Sequence, residues 1–356
     1  MGAGAFSPWE FCSVKLTISD LGPDEEGAWD GYVTEHPAAT MFHRAGWRRV
    51  IARTYGHRTH YLLARRGGSL CGVLPLVEVR SPLFGHSMVS VGFFVYGGIV
   101  ANDGEAEVAL AGAALELGRS CGVGYVELRS LTPLLSDWIT KDDLYATFRQ
   151  PLEVAEAAAL ARIPRKKRAD VRKSLNSGLV VDVTTDTNRF YDIYAQSVHN
   201  LGTPVFPRRL IHTIRAEFGP VCELSLVRKD NEPLAALLSF YFRDEVLPYF
   251  GGALPAARPL HAYDLLYWSL MRRAVGQGAS TMDFGRSKRG TGAFAYKTYW
   301  GFEPTPLAYQ FKLMKSARLP EVNPLNPKYR QMVAMWRRLP LGVANRLGPM
   351  LARQIG

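Results

Sequence analysis

The same pattern of apolar and polar residues occurs twice along the chain and predicts the same elements in the same order each time. Residues 61–65 and 70–79 alternate like two strands joined by a tight turn. Residues 224–228 and 234–242 repeat this pattern around a second polar turn. The chain is therefore predicted to contain two corresponding β-hairpins.

The elements that follow each hairpin also correspond. Apolar strands are predicted at 90–100 and 246–253, and each contains a glycine pair, Gly97-Gly98 or Gly251-Gly252. Helices are predicted at 105–120 and 260–275, where apolar residues recur at helical spacing and glycines follow.

Each predicted helix leads into a strand that closes on Arg-Ser, at 125–130 and 281–287, and then into a last strand at 144–149 or 307–312. The matched elements keep one order at offsets of about 154–164 residues. A duplicated unit is the simplest explanation of this order.

Helices precede the second repeat. Phe190, Ile193, Tyr194 and Val198 form one apolar stripe, and another helix starts near Pro207. The resulting order, two helices, three strands, helix, strand, helix and strand, is that of the N-acetyltransferase-like (GNAT) fold, an α/β (α+β) arrangement with a mixed sheet between helices. The predicted divisions are a first GNAT-like domain at 12–152, a basic helical connector at 153–178, a second GNAT-like domain with the active site at 179–315, and a basic amphipathic tail at 316–356.

Composition agrees with two globular cores. The chain has 356 residues, of which 47% are hydrophobic and 21% charged. No apolar run approaches the ~18–20 residues of a spanning helix. Residues 1–11 lack the features of a secretion signal, so the sequence predicts a cytoplasmic protein. Its four cysteines stand far apart and are interpreted as small buried apolar residues.

The formal net charge of +11 favours an anionic partner, such as a phosphorylated cofactor, a nucleotide-linked sugar, tRNA or an acidic membrane face. Four basic residues are crowded at one predicted helix start, where phosphate contacts are common. These candidate phosphate ligands are Arg165, Lys166, Lys167 and Arg168. The alternative is a solvated helix face.

Several motifs resemble those of FemAB-type proteins associated with PEP-CTERM/exosortase and exopolysaccharide loci. They are FHRAGW (42–47), THYLL (59–63), NLGTPVFP (200–207), DFGRSK (283–288), GTG (290–292), YK (296–297), WGFE (300–303) and NPLNPKY (323–329). The resemblance covers nearly the whole chain. It implies the twin GNAT-like fold of Fem aminoacyltransferases, which transfer an amino acid from aminoacyl-tRNA to an amine of a peptidoglycan precursor.

The resemblance also bears on the donor. The glycine-rich pyrophosphate loop of acetyl-CoA-using relatives is replaced here by residues 254–261, which weakens the case for ordinary CoA binding. A helix end together with Arg258 could still hold a phosphate. Aminoacyl-tRNA and acyl-CoA both stay open as donors, and no metal is expected.

The two repeats differ most after the Arg-Ser strand, where the second carries glycines among basic residues at a strand end. Lys297 matches the lysine of the Fem motif and is the first candidate for stabilising an oxyanion. Asp283 is a candidate acceptor of the amine proton, or a cap of the following loop. The alternative for the whole segment is a solvated turn followed by an aromatic helix that packs on the sheet.

The remaining candidates are predicted to bind substrate. Those around the strand end are Arg286, Ser287, Lys288, Gly290, Gly292, Tyr249 and Tyr296. Asn200, Thr203 and Arg208 are expected to line an acceptor cleft between the domains. Tyr249 has a core position as its alternative.

Two function classes compete. The first is an N-acyl or aminoacyl transferase acting on a cell-envelope or exopolysaccharide precursor, a small-molecule or lipid- or nucleotide-linked glycan, at the inner face of the membrane. The second is a catalytically silent twin-GNAT module that binds such a molecule or a partner protein. No hydrolase-type nucleophile motif is present. His57 and His60 lack a nearby third ligand in the sequence, so both are interpreted as surface residues.

Overall fold

The computed structural model describes residues 15–82, 84–319 and 327–354, with side chains from residue 331 onward in the last range. Residues 1–14 with Cys12, the motif residues 323–326 and the side chain of Tyr329 lie outside this description. The strands are β1 Leu16–Asp20, β2 Arg58–Arg66, β3 Ser69–Ser81, β4 Gly85–Ser90, β5 Val100–Ala101, β6 Tyr125–Ser130, β7 Ile139–Lys141, β8 Tyr145–Pro151, β9 Val180–Thr184, β10 Cys222–Lys229, β11 Glu232–Phe242, β12 Glu245–Ala253, β13 Thr281–Asp283, β14 Ser287–Lys288, β15 Pro304–Pro306 and β16 Ala308–Leu313. The helices are α1 Glu26–Glu35, α2 Gly46–Tyr55, α3 Gly104–Cys121, α4 Glu156–Arg162, α5 Arg165–Leu175, α6 Thr187–Leu201, α7 Arg208–Phe218, α8 Ala262–Gly276, α9 Gly292–Tyr299, α10 Pro327–Arg338 and α11 Leu341–Ala352.

Two mixed sheets of eight strands each organise the described residues. The first follows the order β1-β2-β3-β4-β6-β16-β7, with β5 beside β3. The second follows β14-β8-β13-β12-β11-β10-β9, with β15 beside β8. Each sheet has one parallel pair, β4 with β6 and β12 with β13. In the second pair only Glu245 and Val246 of β12 are paired with β13. The C-terminal half of β12 is therefore not paired with β13.

The last strand of each repeat lies in the sheet of the other repeat. β8 pairs with β13 of the second sheet, with Asp283 opposite Arg149. β16 pairs with β6 of the first sheet, with Tyr309 opposite Arg129. The prediction that these segments are strands is confirmed, whereas the sheet to which each belongs is exchanged. The predicted domain bounds stay a prediction, and strand pairing crosses them.

The glycine pair of the first repeat does not lie in a strand, so the predicted strand at 90–100 is wrong. β4 ends at Ser90, and the next residues form a buried irregular segment with positive φ at Val91, Phe93 and Tyr96. Side chains from the turn at Met41–His43 and its cap bind this backbone. Thr40 donates to the carbonyl oxygen of Tyr96, and the His43 ring lies 3.0 Å from that of Gly98. These partners replace the ladder hydrogen bonds that a strand would need.

The second glycine pair lies in β12, as predicted, and packing explains it. A Cβ on Gly251 would lie 2.4 Å from the Tyr263 hydroxyl of α8, and one on Gly252 would lie 2.6 Å from Cβ of Ser197 on α6. The two helices approach β12 at these positions, so only glycine fits there.

The helices predicted from periodicity are present. α6 begins with Asp186 accepting hydrogen bonds from the backbone of Asn188 and Arg189, and it buries Phe190, Ile193 and Tyr194. Pro164 lies between the two helices of segment 153–178, because α4 ends at Arg162 and α5 starts at Arg165.

One apolar core joins the two repeats. The ring of Trp47 on α2 lies 4.1 Å from Phe94, 4.6 Å from Phe218 of α7 and 5.5 Å from Phe240 of β11, measured between centroids. Residues of both sheets therefore share a continuous cluster. This shared burial and the exchanged strands tie the repeats together.

The tail contains α10 and α11, which pack on the protein. His199 lies 2.9 Å from the carbonyl oxygen of Leu339, and Arg337 donates to that of Leu201. His57 contacts the carbonyl oxygen of Arg353 at 3.1 Å, so the tail touches both repeats. His57 is buried, so its assignment as a surface residue is wrong. No helix in the described part of the chain has the length and apolarity to span a bilayer.

Candidate active site

Asp283 stands where β13 ends. Gly285 has a φ of 71°, which turns the chain out of the strand. The Asp283 side chain is buried, and its Oδ1 accepts hydrogen bonds from the Gly285 backbone at 2.7 Å and the Thr147 hydroxyl at 2.9 Å. The carboxylate therefore caps this turn, as the alternative interpretation predicts.

Groups from both repeats surround the Asp283 carboxylate. The Tyr96 hydroxyl lies 2.6 Å from that of Thr147 and 3.4 Å from Oδ1 of Asp283. Arg149 on β8 is ion-paired with Glu245, and its Nε lies 3.7 Å from Oδ2 of Asp283. Burial raises the pKa of Asp283, although the charge of Arg149 opposes the shift. This combination holds a carboxyl group that can take up a proton more readily than an exposed one.

Lys297 projects from α9 toward the same turn. Thr291 caps this helix by accepting a hydrogen bond from the Phe294 backbone. Nζ of Lys297 donates to the carbonyl oxygens of Gly285 at 2.7 Å and Arg286 at 3.2 Å. Burial lowers the pKa of Lys297 to about 7, and the charge of Asp283 acts in the opposite direction. The lysine can therefore exchange a proton near neutral pH.

A narrow cleft, with room for about one water molecule, lies beside Asp283. Its lining comes from both repeats and consists of Thr40, Met41, Phe42, Tyr96, Leu131, Arg149, Phe240, Phe242, Glu245, Leu247 and Asp283. Lys297 is not part of this lining and approaches the Asp283 turn from the α9 side. The strand end thus lies between a cleft and a titrating lysine.

Two arginines from equivalent strand ends meet near this turn. Arg286 donates to the Tyr309 hydroxyl at 2.6 Å and lies 4.6 Å from the ring centroid of Tyr145. Arg129, its counterpart in the first repeat, lies 5.6 Å from the Tyr309 ring and is paired with Glu127. No carboxylate among the described residues is within ion-pair distance of Arg286. Its guanidinium is therefore available to an anionic ligand.

Tyr249 belongs to an aromatic cluster, as its alternative interpretation predicts. Its ring centroid lies 4.9 Å from that of Phe42 and 4.8 Å from that of Phe250. Burial raises the pKa of Tyr249, and the nearby charges of Arg286 and Arg129 oppose this shift. The hydroxyl therefore lies within the electrostatic reach of both arginines.

Other predicted residues of the strand-end loop have mixed environments. Ser287 is buried and its Oγ has no hydrogen-bond partner among the described residues. Lys288 is half-buried, which lowers its pKa. Gly290 is exposed with a φ of 76°, and Gly292 starts α9 with open space around it. The Tyr296 hydroxyl donates to Asp264 at 2.6 Å. Tyr296 thus faces α8, as expected of an aromatic helix packed on the sheet.

The basic residues at the start of α5 differ in their surroundings. Lys167 contacts Oδ1 of Asp264 at 3.1 Å and Oδ2 of Asp170 at 3.3 Å. Arg165, Lys166 and, in the loop before α8, Arg258 are exposed, while Arg168 is half-buried. The Lys167 ammonium therefore forms ion pairs within the protein, whereas Arg165 and Lys166 face solvent.

Asn200, Thr203 and Arg208 lie at the end of α6 and the start of α7, apart from the Lys297 turn. Asn200 and Thr203 are exposed. Arg208 is paired with Asp192 at 2.5 Å and stacks on Tyr191. None of the three lines the cleft beside Asp283. Their role in acceptor binding stays a prediction.

Residues 165–298 match the family model described as an acetyltransferase (GNAT) domain. The crystal structure of FemX superposes with a TM-score of 0.67 at 14% identity, covering 89% of this chain and 100% of that one. The fold is a tandem GNAT fold. The tandem GNAT protein from the clavulanic acid biosynthesis pathway has a TM-score of 0.52 at 15% identity, covering 84% of this chain and 98% of its own. L-PGS from Bacillus licheniformis has a TM-score of 0.53 at 12% identity, with coverages of 89% and 96%.

At these identities the likeness shows the fold alone. No curated protein matches the chain in sequence. The predicted duplication of a GNAT-like unit is confirmed, and the family match starts at Arg165, inside the segment predicted as a connector.

Sequence reasoning missed several polar groups of this tandem GNAT site. Thr147, Arg149 and Tyr145 come from β8, and Tyr309 comes from β16, so the strand exchange brings all four to the site. The sequence could have indicated Arg129, because Arg129-Ser130 in the first repeat corresponds to Arg286-Ser287 in the second. Nothing in one sequence indicated the exchange itself.

Proposed function

We propose that this protein is an N-acyl or aminoacyl transferase that acts on an amine of a cell-envelope or exopolysaccharide precursor. The observation that carries the proposal is the turn after β13, to which both Lys297, with a pKa of about 7, and the buried carboxyl of Asp283 are hydrogen-bonded. A narrow cleft lies on the Asp283 side of this turn. A binding module needs no group that titrates near neutral pH at a strand end.

The proposed reaction needs no covalent enzyme intermediate. The acceptor amine nitrogen attacks the carbonyl carbon of the donor ester or thioester, and a C–N bond forms. Lys297 donates a hydrogen bond to the resulting oxyanion. Asp283 takes the proton lost by the amine. The C–O or C–S bond to the donor then breaks as Asp283 returns this proton to the leaving oxygen or sulfur.

The start of α8 favours aminoacyl-tRNA over acyl-CoA as the donor. In this first helical turn Asp264 is buried and accepts hydrogen bonds from Lys167 and Tyr296. A pyrophosphate at this helix end would lie against that carboxylate, which offsets the favourable helix dipole. The exposed Arg165 and Lys166 remain available to a phosphodiester backbone.

Arg286 supports an acceptor that carries phosphate or carboxylate. Its guanidinium has aromatic neighbours and no carboxylate partner in the described part of the chain. A nucleotide- or lipid-linked glycan would supply such an anion. We further infer that the protein belongs with FemAB-type proteins of exopolysaccharide loci and acts at the inner face of the membrane.

The test starts from the purified full chain. Small molecules and tRNA that co-purify are identified by mass spectrometry, and each is then assayed as donor or acceptor with a radiolabelled acyl group. We expect transfer from charged tRNA, and Lys297→Met should slow it by about 100-fold to 1,000-fold. Transfer from acyl-CoA alone would overturn the choice of donor. Tight binding of a glycan without transfer from either donor would support the silent module instead.

A further inference from the structure

Four side chains with metal-binding groups meet at one end of the first sheet. His60 lies on β2, Glu78 on β3, His86 on β4 and Cys121 at the last residue of α3. His60 is paired with Leu76, and His86 is paired with Arg80. Both histidines are therefore displaced by two residues from Glu78 and share its face of the sheet. None of the four lines the cleft beside Asp283.

The Glu78 carboxylate is satisfied on one side only. Its side chain is 1% exposed, and Oε1 accepts hydrogen bonds from Arg80 and His86, each at 2.8 Å. Oε2 has no hydrogen-bond partner among the described residues. A buried carboxylate oxygen without a partner is costly.

The atom that faces this oxygen is unsatisfied as well. Nε2 of His60 is buried without a hydrogen-bond partner in the described residues and lies 3.6 Å from Oε2 of Glu78. This distance is too long for a hydrogen bond. In the tautomer with its proton on Nδ1, His60 turns the lone pair of Nε2 toward Oε2 of Glu78. The separation of these two atoms suits a cation between them, because ligands of tetrahedral zinc lie about 3.3–3.8 Å apart.

Cys121 supplies a third ligand atom. Its Sγ and the ligand atoms of His60 and Glu78 all lie within 4.8 Å of one another. We propose that His60 Nε2, Glu78 Oε2 and the Cys121 thiolate bind one Zn²⁺ ion, with a water as the fourth ligand. Nitrogen, oxygen and thiolate together are typical of zinc rather than magnesium or calcium. His86 and Arg80 hold the carboxylate from its other oxygen, as outer groups of metal sites do.

This inference departs from the sequence prediction of no metal. Sequence spacing drew attention to His57 and His60, yet the ring of His57 contacts the Arg353 carbonyl instead. The other ligands come from β3 and α3, which only the fold brings to His60. Zinc here would fasten the carboxyl end of α3 to two strands of the first sheet, and Cys121 would lose one proton on binding.

The test is a titration of the metal-stripped full chain with Zn²⁺ in competition with a chromogenic chelator, and with Co²⁺ as a spectroscopic probe. We expect one ion and one released proton per chain, and a near-ultraviolet thiolate-to-cobalt band. Cys121→Ala should remove this band and weaken Zn²⁺ binding by at least about 100-fold, while Arg80→Met should weaken it by about 10-fold. Cys71→Ala is the matched control, because Cys71 is a free cysteine of the same sheet outside the cluster.

Circular dichroism and the melting temperature of each metal-free variant show whether it is folded. Zn²⁺ should raise Tm in the wild type, in Cys71→Ala and, at about tenfold higher concentration, in Arg80→Met, but not in Cys121→Ala. Should folded Cys121→Ala be destabilised too far for the titration, Glu78→Gln is titrated in its place. Failure of the wild type to take up either ion, or equal uptake by Cys121→Ala and wild type, would overturn the zinc site.

Discussion

At the scale of single residues, the number of N–H groups on Lys297 determines whether it can donate a hydrogen bond to a substrate. A charged lysine has three N–H groups, and the carbonyls of Gly285 and Arg286 accept two of them. The charged form thus offers one remaining donor, whereas the neutral form offers a lone pair. Stabilisation of an oxyanion requires the charged form.

Lys297→Met should slow transfer without unfolding the protein. Loss of one donor to an oxyanion commonly costs about 100-fold to 1,000-fold in rate, so single-turnover transfer should fall by that factor. Methionine keeps the apolar stem between Phe148 and Phe284, so Tm should stay near that of wild type. Lys141→Met is the matched control, because Lys141 also lies over an aromatic ring. A wild-type rate in Lys297→Met would remove the assigned role.

Lys297 should also make stability depend on pH in a defined window. Its pKa is about 7 in the folded chain and about 10.4 when unfolded, so the unfolded chain binds more protons between these values. Stability of the wild type relative to Lys297→Met should therefore rise from pH 7 to pH 10 and change little below pH 6. Urea unfolding of both proteins across this range measures the difference. Parallel curves would show that the lysine has an ordinary pKa.

At the scale of elements, α5 carries one lysine that is ion-paired within the protein, Lys167, and three basic neighbours that are candidate phosphate ligands. Alanine at Arg165, Lys166 and Arg168 should weaken tRNA binding and reduce its salt dependence, because each phosphate contact releases counterions. Lys167 is kept, since its ion pairs with Asp264 and Asp170 hold α5 to α8. Filter binding at several salt concentrations provides the measurement.

The control for α5 is Arg172→Ala with Lys173→Ala, which lowers the charge at the other end of the helix. If the two sets of substitutions weaken binding equally per charge removed, net charge alone explains the effect. If neither weakens it, α5 does not contact the donor.

Both tail helices expose apolar side chains to solvent. Met335 and Met350 are 68% and 66% exposed on helices that also carry arginines, a combination suited to an anionic membrane surface. Met335→Glu with Met350→Glu should abolish flotation with anionic liposomes and leave Tm unchanged. Val108→Glu is the matched control, because Val108 is 66% exposed on α3. Equal flotation of all three proteins would remove the membrane proposal.

The sequence pattern predicted which segments form helices better than it predicted which segments lie beside each other. Periodicity found α3, α6, α7 and α8 because each buries one face against a sheet. It failed at residues 91–99, where an apolar run is buried without being a strand because side-chain partners take over its backbone. The site was found only in part. Asp283 and Lys297 lie in two neighbouring motifs, DFGRSK and YK, while Arg149 and Tyr309 reach the site through strand pairing across the chain.

At the scale of the whole molecule, the shared core predicts that both repeats unfold together. Phe311→Ala in β16 should cost about 3–5 kcal/mol, because the ring is buried in the apolar core that both sheets share. Pulsed labelling of the buried Cys71 and Cys222, one in each sheet, should report a single transition. Val183→Ala, at a 57% exposed position on β9, should change little. Protection of Cys222 after Cys71 has become labelled would contradict joint unfolding.

The strand exchange also bears on the order in which the protein can be made. β6 pairs with β16 on one edge, and within the described part of the chain β7 joins the first sheet through β16 alone. While a ribosome synthesises the chain, that edge of β6 stays open until residue 313 has emerged, and β8 must wait for β13. Domain-by-domain folding during translation is therefore interrupted, and the open strand edges invite pairing with other nascent chains. Newly made protein should thus depend on chaperones until the last strand arrives.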